Sequence, residues 1–170
     1  MELYVERGYE QTTVADIAQR AGLTARTFFR HFADKREVLF AGSDVLQNAL
    51  VTATQRAPAT APPLDQVAAG LVAAGEFFLD PDHSRQRQVI IAAHPDLRER
   101  ELIKLASLSA ALADGLRQRG IAEPAATLSA DAGVAVFKVA FERWIEPGNQ
   151  RSFADLVADS IAELKAVTAS

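Results

Sequence analysis

The stretch from Thr13 to Leu39 constrains the fold of this 170-residue chain more than any other part of the sequence. Thr13 is a good helix N-cap, and Asp16, three residues later, completes a capping-box pattern. Gly22 then supplies a position that usually needs a left-handed backbone at the end of a helix. Between these signals, apolar residues recur at i, i+3, i+4 and i+7 along one helical face: Val14, Ile17, Ala18 and Ala21. The sequence therefore predicts a short helix that begins after Thr13 and ends at Gly22.

A second short helix is predicted directly after this turn. Thr24 is its predicted N-cap, and Leu23 and Phe28 have the spacing of a hydrophobic staple. Phe28 and Phe32 share a face one turn apart, so the predicted buried face carries Leu23, Phe28 and Phe32. The positions left pointing outward are Ala25, Arg26, Phe29 and Arg30. Two helices around a glycine turn, the second with a basic outer face, form the helix-turn-helix pattern of DNA-binding proteins.

These residues resemble the DNA-binding signature of the tetracycline-repressor (TetR) family. The matching positions are Thr13, Ile17-Ala18, Ala21-Gly22-Leu23-Thr24, Thr27-Phe28-Phe29, His31-Phe32, Lys35 and Leu39. They cover the first quarter of the chain, and the rest resembles the family in helical layout only. The resemblance implies a transcriptional regulator, in most cases a repressor, that binds double-stranded operator DNA as a homodimer.

The residue types and the resemblance together suggest roles within the motif. Thr13 and Lys35 lie at helix starts, where backbone N–H groups and the helix dipole attract phosphate. Ala25, Arg26 and Phe29 are expected to face the major groove, where Arg26 can pair with guanine and Phe29 can touch a thymine methyl. The family often has a small residue where Arg26 stands and tyrosine where Phe29 stands, so Arg26 reaching only a phosphate and the Phe29 ring packing on a neighbouring helix remain alternatives. The predicted DNA-binding residues are Thr13, Thr24, Ala25, Arg26, Thr27, Phe29, Arg30, His31 and Lys35.

Charge and composition limit the possible functions. The net charge is −4, yet residues 13–36 contain five Arg or Lys and only two Asp or Glu, so the positive charge is local to the motif. There is no cysteine, which excludes disulfides and thiolate metal sites. No run of 18 apolar residues occurs, and we predict a cytoplasmic protein with no membrane partner. No phosphate-binding glycine loop or nucleophile elbow is present, so we predict no enzymatic activity, no cofactor and no metal.

Helical periodicity continues along the rest of the chain, with no sustained alternation of period two. The sequence predicts an all-α fold of about nine helices, with a three-helix DNA-binding head over residues 1–36 and a helical effector-binding and dimerisation body over residues 37–170. One helix is predicted from Lys35 to about Arg56, followed by a proline-rich linker at residues 57–63. The body helices are predicted over 64–79, 84–93, 95–119, from about 124 to 146, and from 153 onward. Residues 1–8 read as the end of a helix, and the resemblance implies a longer first helix, so we expect it to be incomplete as numbered.

The body carries candidates for a ligand site and for a dimer interface. An elongated, mainly apolar cavity is predicted between the helix after the linker and the two long helices, with His94 near one end. The predicted ligand-binding residues are Phe78, His94, Phe137 and Phe141. Aromatic residues at these positions fit a packed core equally well, and a helix-terminal histidine favoured by the helix dipole is the alternative for His94. A two-fold interface of four helices is predicted through the last two helices, which carry Val134, Phe137, Phe141, Phe153, Val157 and Leu164.

The resemblance implies that an unknown small molecule binds in the body and releases the dimer from its operator. Two other functions are open on the sequence. The first is a DNA-binding protein of the same fold without an effector, which a fully packed body would indicate. The second is a helical ligand-binding or enzymatic domain with a vestigial head, which failure to bind any duplex would indicate.

Overall fold

The computed structural model describes residues 1–169, and these residues form nine α-helices, two short 3-10 helices and no strand. This result confirms the predicted all-α fold. The α-helices are α1 (Glu2–Arg7), α2 (Val14–Arg20), α3 (Ala25–His31), α4 (Ser43–Arg56), α5 (Pro63–Ala73), α6 (Pro81–Ala93), α7 (Pro95–Gln118), α8 (Ala125–Trp144) and α9 (Phe153–Thr168). The 3-10 helices are Lys35–Phe40 and Ala74–Phe77.

The two helices of the motif begin where their caps predict. The Thr13 hydroxyl accepts the Asp16 backbone N–H at 3.2 Å, and the Asp16 carboxylate accepts the Thr13 N–H at 2.9 Å, which is a complete capping box. Gly22 has a φ of +67°, and it reverses the chain after α2. Thr24 then caps α3 by accepting the Thr27 N–H at 3.2 Å. Local hydrogen bonding therefore sets the positions of both helices.

The predicted hydrophobic staple is wrong in one of its two residues. Phe28 is buried, and its ring centroid lies 5.3 Å from that of Phe32. Leu23, however, is 47% exposed, because it lies in the turn after Gly22 and outside both helices. The buried face of α3 therefore consists of Phe28 with partly buried Phe32 beside it.

The predicted single helix from Lys35 to Arg56 is also wrong. Asp34 caps a 3-10 helix that ends at Phe40, and Gly42 adopts a left-handed conformation with a φ of +84°. A right-handed α-helix cannot continue through such a residue, so α4 begins afresh at Ser43. We call residues 35–42 the connector, because they join the head to α4.

The main core of the body lies among α4, α5, α7, α8 and α9, with α5 at its centre. Its fully buried side chains include Leu50, Val67, Leu71, Leu112, Leu116, Phe153 and Val157. Neighbouring helices approach α5 closely: a Cβ added at Gly70 would lie 2.3 Å from the Thr54 hydroxyl oxygen, and one added at Gly133 would lie 2.3 Å from a Val67 methyl. Phe153 and Val157, which we expected at the dimer interface, belong to this core because both are at most 1% exposed.

A second, smaller apolar cluster joins the head to the body. Tyr4 and Tyr9 from the head, with Leu39 and Phe40 from the connector, pack against the end of α6 and the start of α7. Ile91 and Leu97 are the buried residues that α6 and α7 contribute. Through this cluster the connector packs against both the head and the body.

Two predicted helix boundaries shift for local reasons. The helix after the linker, predicted to reach residue 79, ends at Ala73 and tightens into a 3-10 turn that ends at Phe77. Helix α6 begins at Pro81 and not at Ser84, because Asp80 caps it and proline suits the first helical turn. Within residues 1–169, no helix combines the length and the apolar character needed to cross a bilayer.

Candidate nucleic-acid interface

The outer face of α3 carries the side chains that we predicted to point outward. Ala25, Arg26, Arg30 and His31 are exposed, whereas Phe28 on the opposite face is 3% exposed. Phe29 is 57% exposed and meets Phe28 only edge-on, with 5.5 Å between ring centroids. The ring is therefore available for an external contact and is not packed between helices.

The exposed positive charge of the head is concentrated on this face. In the part of the chain that the structure describes, neither Arg26 nor Arg30 forms an ion pair with a carboxylate, and Arg30 meets only the His31 ring at 3.4 Å. The other arginines of the head are paired: Arg7 with Asp16 at 3.4 Å, Arg20 with Glu6 at 2.8 Å, and Arg36 with Asp34 at 2.5 Å. Cations without carboxylate partners are the ones that can neutralise phosphates.

Two of the three threonines of the motif, Thr13 and Thr24, are helix caps, and Thr27 contacts the second of them. The Thr13 hydroxyl donates to the Asp16 carboxylate at 2.6 Å, and these bonds lower the pKa of that carboxyl. The hydroxyl oxygens of Thr24 and Thr27 lie 3.1 Å apart. Thr13 and Thr24 are exposed and Thr27 is half-buried, so all three lie beside the basic face. Phosphate contacts by these residues stay a prediction.

The predicted role of Lys35 requires a side chain that extends outward, but the side chain points into the fold. Its ammonium donates to the backbone carbonyls of Tyr9 at 2.8 Å, Thr12 at 3.1 Å and Glu10 at 3.4 Å, and lies 4.3 Å from the centroid of the Tyr9 ring. A lysine ammonium has three N–H donors, and these three carbonyls occupy them. In this structure Lys35 therefore joins the connector to the loop after α1, and a contact of its ammonium with DNA stays a prediction.

Polar contacts reinforce the junction between head and body. The Tyr9 hydroxyl donates to Asp96 at the start of α7, and burial together with this bond raises the pKa of Tyr9. In the connector, Glu37 pairs with Arg100 at 2.5 Å and with Lys104 at 3.6 Å. The first three turns of α7 thus contact both Tyr9 of the head and Glu37 of the connector.

A cavity of about 350 Å³ opens beside the connector, bounded by α4, α6, α7 and α8. Phe78, Phe137 and Phe141 line it as predicted, and their ring centroids are 5.8–6.2 Å apart. The location differs from the prediction, because α5 is buried in the main core and α6 forms the opposite wall. The volume lies within the range of small-molecule sites.

The predicted location of His94 at one end of this cavity is wrong. His94 ends α6 on the side that meets the head, where its Nδ1 lies 2.8 Å from the Ile90 carbonyl oxygen. Its ring centroid is 4.7 Å from that of Tyr9. His94 is therefore a residue of the junction, which is nearer to the helix-terminal alternative.

Arg87 is the residue of this region that the sequence reading missed. Its Nε donates to the Leu39 carbonyl of the connector at 2.5 Å, and its guanidinium carbon lies 5.1 Å from the centroid of the Phe40 ring. Arg87 also lines the cavity, and burial lowers its pKa. A signal was present in the sequence, since Arg87 is four residues before the fully buried Ile91 and therefore lies on the inward face of α6.

Comparison with known proteins agrees with the geometry of the head. Residues 1–41 match the family model described as bacterial regulatory proteins, tetR family. The HTH-type transcriptional regulator TcmR of Streptomyces glaucescens is 42% identical over 64 residues, which are 38% of this chain and 28% of TcmR. The HTH-type transcriptional regulator CymR of Pseudomonas putida is 33% identical over 100 residues, 58% of this chain and 49% of CymR. The chain thus spans less than half the length of either curated relative.

Solved structures extend the similarity of fold to the whole chain. Thermus thermophilus FadR, a TetR-family transcriptional repressor solved in complex with lauroyl-CoA, superposes with a TM-score of 0.56 and 21% identity over 96% of this chain and 88% of its own. A protein from Mesorhizobium loti assigned to the TetR family gives a TM-score of 0.54 and 19% identity over 98% of this chain and 91% of its own. Residues 1–41 therefore match the DNA-binding domain of the tetR family of bacterial regulatory proteins, and the whole chain shares the fold of these two structures.

Proposed function

We propose that this protein is a transcriptional repressor of the bacterial cytoplasm that binds operator DNA through α3. The observation that carries the proposal is the exposed face of α3, on which Arg26 and Arg30 form no ion pair while Phe28 anchors the helix from behind. Such a face fits a helix that lies in the major groove, with arginine reading guanine and neighbouring cations neutralising phosphates. The same face disfavours a vestigial head, because its two arginines lack carboxylate partners within residues 1–169 and are free to bind phosphate.

The cavity beside the connector is the proposed effector site. Phe78, Phe137 and Phe141 supply an apolar wall, and the opposite wall meets the connector that leads to the head. A ligand releases the protein from DNA only if it binds the non-binding conformation more tightly, and couplings of about 1–3 kcal/mol are typical. The FadR structure with lauroyl-CoA supports a ligand in this fold, and the open cavity disfavours a regulator without an effector.

The proposed dimer uses the outer faces of α8 and α9 and not the residues that fill the core. On α8, Leu128, Ala135 and Val139 are exposed at i, i+7 and i+11, so they share one face. On α9, Ala158 and Ala162 are exposed one turn apart, and small side chains allow close helix approach. A two-fold interface through these faces would pair two heads for successive major grooves, about 34 Å apart. The division into a head over residues 1–36 and a body over residues 37–170 remains part of this proposal.

Selection of genomic fragments by the purified protein, followed by gel-shift titration of the enriched duplex, tests the proposal. We expect binding to one duplex with two similar half-sites, and loss of that binding in a variant that combines Arg26→Ala with Arg30→Ala. Enrichment of no fragment by a folded, dimeric protein would contradict the proposal.

Light scattering tests the dimer separately. We expect Val139→Glu to give a monomer, because it places a charge within the proposed interface. Val89→Glu is the matched control, since Val89 is 65% exposed on α6 and lies outside the proposed interface. Equal masses for the two variants would contradict the assignment of α8.

A further inference from the structure

We propose that the cavity binds an amphipathic carboxylate and that Arg87 binds the carboxylate group. The inference rests on the proposed effector function and names the chemical class of the effector. It also assigns to Arg87 the contact through which occupation of the cavity reaches the connector.

The first argument is the incomplete bonding of Arg87. The guanidinium has five N–H donors, and the only hydrogen bond that it makes within residues 1–169 is the one from Nε to the Leu39 carbonyl. No carboxylate of the described chain forms an ion pair with it. Glu101, whose charge favours the protonated form of Arg87, instead accepts a hydrogen bond from Gln88 at 3.3 Å. A half-buried cation with open donors can bind a carboxylate in a bidentate manner.

A second arginine on the same helix, Arg85, has both a carbonyl and a carboxylate partner. Arg85 also donates from Nε to a backbone carbonyl, that of Ile145 at 2.5 Å. Its Nη1, however, pairs with the Asp82 carboxylate at 2.5 Å. Arg85 does not line the cavity, whereas Arg87 does. The arginine that faces the cavity is therefore the one without an anion.

The second argument is the arrangement of the remaining cavity wall. The aromatic side chains Phe77, Phe78, Phe137 and Phe141 supply apolar surface, which suits a hydrocarbon or aryl group. Of the other two cations in the lining, Lys104 is already paired with Glu37 and Asp44, and Lys138 is exposed on α8. The lining also contains the carboxylates of Asp44, Glu101 and Glu142, of which Asp44 pairs with Lys104 and Glu101 accepts a hydrogen bond from Gln88. A molecule with one apolar part and one carboxylate can meet the aromatic wall and the open donors of Arg87 together.

The third argument links the same guanidinium to the head. Leu39 and Phe40 lie in the connector, and Arg87 holds the carbonyl of the first and stacks on the ring of the second. A carboxylate that binds the open donors of Arg87 pulls the guanidinium toward the cavity and weakens its contacts with Leu39 and Phe40. Binding of the anion is thereby coupled to the connector and to α3 beyond it.

Three probes with one carbon skeleton test the ligand class: 4-phenylbutyrate, 4-phenylbutanamide and 4-phenylbutylamine, titrated into the intact protein by calorimetry. We expect the carboxylate to bind at least tenfold more tightly than the amide, and the amine to bind most weakly. We expect Arg87→Gln to weaken carboxylate binding by about 10- to 100-fold and to leave amide binding nearly unchanged, since a charged hydrogen bond is lost. Arg85→Gln, the matched loss of one arginine and one carbonyl contact, should bind all three probes like the wild type.

A second readout follows the connector by hydrogen exchange. The carboxylate should change exchange at residues 35–42 in the wild type and in Arg85→Gln, but not in Arg87→Gln. Equal binding of carboxylate and amide, or equal carboxylate binding by the two glutamine variants, would overturn the inference. If Arg87→Gln does not fold, the comparison of carboxylate with amide in the wild type still decides the ligand class.

The failure of this inference is distinguishable from the failure of the proposed function. Preferential binding of the amine, accompanied by release of operator DNA, would overturn the carboxylate assignment and keep the effector function. No binding of any of the three probes would overturn the carboxylate assignment, while operator binding by the unliganded protein tests the DNA-binding function independently.

Discussion

Helix α3 and the connector that follows it are both basic, but their cations differ in whether they have partners within the fold. Arg26 and Arg30 on α3 are exposed and make no ion pair within residues 1–169, whereas Lys35 in the connector donates to three backbone carbonyls. The number of cations in such a motif therefore does not give the number that are free to meet phosphate. Only cations without internal partners can release counterions from phosphates at little cost to the fold.

Among the substitutions that distinguish α3 from the connector, Lys35→Met is expected to have the largest effect, and the effect is on stability. The substitution leaves three carbonyls without their donor and removes the contact with the Tyr9 ring, so we expect a loss of about 2–3 kcal/mol in the free energy of unfolding. Urea denaturation measures it. Lys165→Met is the control, because Lys165 makes only a surface pair with Asp65 and should change stability little. If Lys35→Met were as stable as this control but bound DNA poorly, Lys35 would have to be a DNA contact.

Arg26→Ala is expected to affect recognition and not stability. If Arg26 reads a guanine, its loss should cost about 1–3 kcal/mol on the operator and relax preference at one base pair per half-site. Titration of the operator and of duplexes substituted at each position measures both effects. If affinity for operator and scrambled duplex falls equally, with base preference unchanged, Arg26 contacts only phosphate.

Arg30→Gln should give a smaller, sequence-independent effect. Arg30 lies at the last turn of α3, beside His31, and we expect it to neutralise one phosphate. Each such contact contributes about 0.9 to the slope of log affinity against log salt concentration, so each head should lose about one unit of slope. A salt series with operator and with scrambled DNA measures the slope. A change in base preference without a change in slope would contradict a phosphate contact.

Arg20→Gln should have the smallest effect on DNA binding. Arg20 already pairs with Glu6 at 2.8 Å and Glu2 at 3.1 Å, and these carboxylates raise its pKa. Both pairs are on the surface, so we expect little change in melting temperature and no change in salt slope. A loss of slope like that expected for Arg30→Gln would show that Arg20 leaves its partners for DNA.

The positions of the motif helices could be predicted because they depend on neighbouring residues. The cap at Thr13 needs only Asp16, the cap at Thr24 needs only the Thr27 amide, and the turn needs only Gly22. The break at Gly42 was equally local, but the apolar periodicity on either side of it suggested one continuous helix. Periodicity reports which face is buried and not whether the backbone is continuous, and this is why the connector was missed.

The cavity was predictable in composition but not in place. Phe78, Phe137 and Phe141 are large apolar residues on helices, and such residues meet wherever the helices pack. Which helices enclose the remaining space depends on how closely they approach. Helix α5 approaches its neighbours closely at Gly70 and Gly133, whereas the cavity lies beside α6.

By itself, the sequence determined the all-α class, the caps of α2 and α3 and the outward face that carries Arg26, because these follow from residues within one or two helical turns. Only the tertiary structure decided the partners of Lys35, Arg87 and His94. Lys35 meets carbonyls 23 to 26 positions away, and Arg87 meets the Leu39 carbonyl 48 positions away. Long, charged side chains can reach solvent, DNA or a distant backbone carbonyl, and the packing of remote segments selects among these.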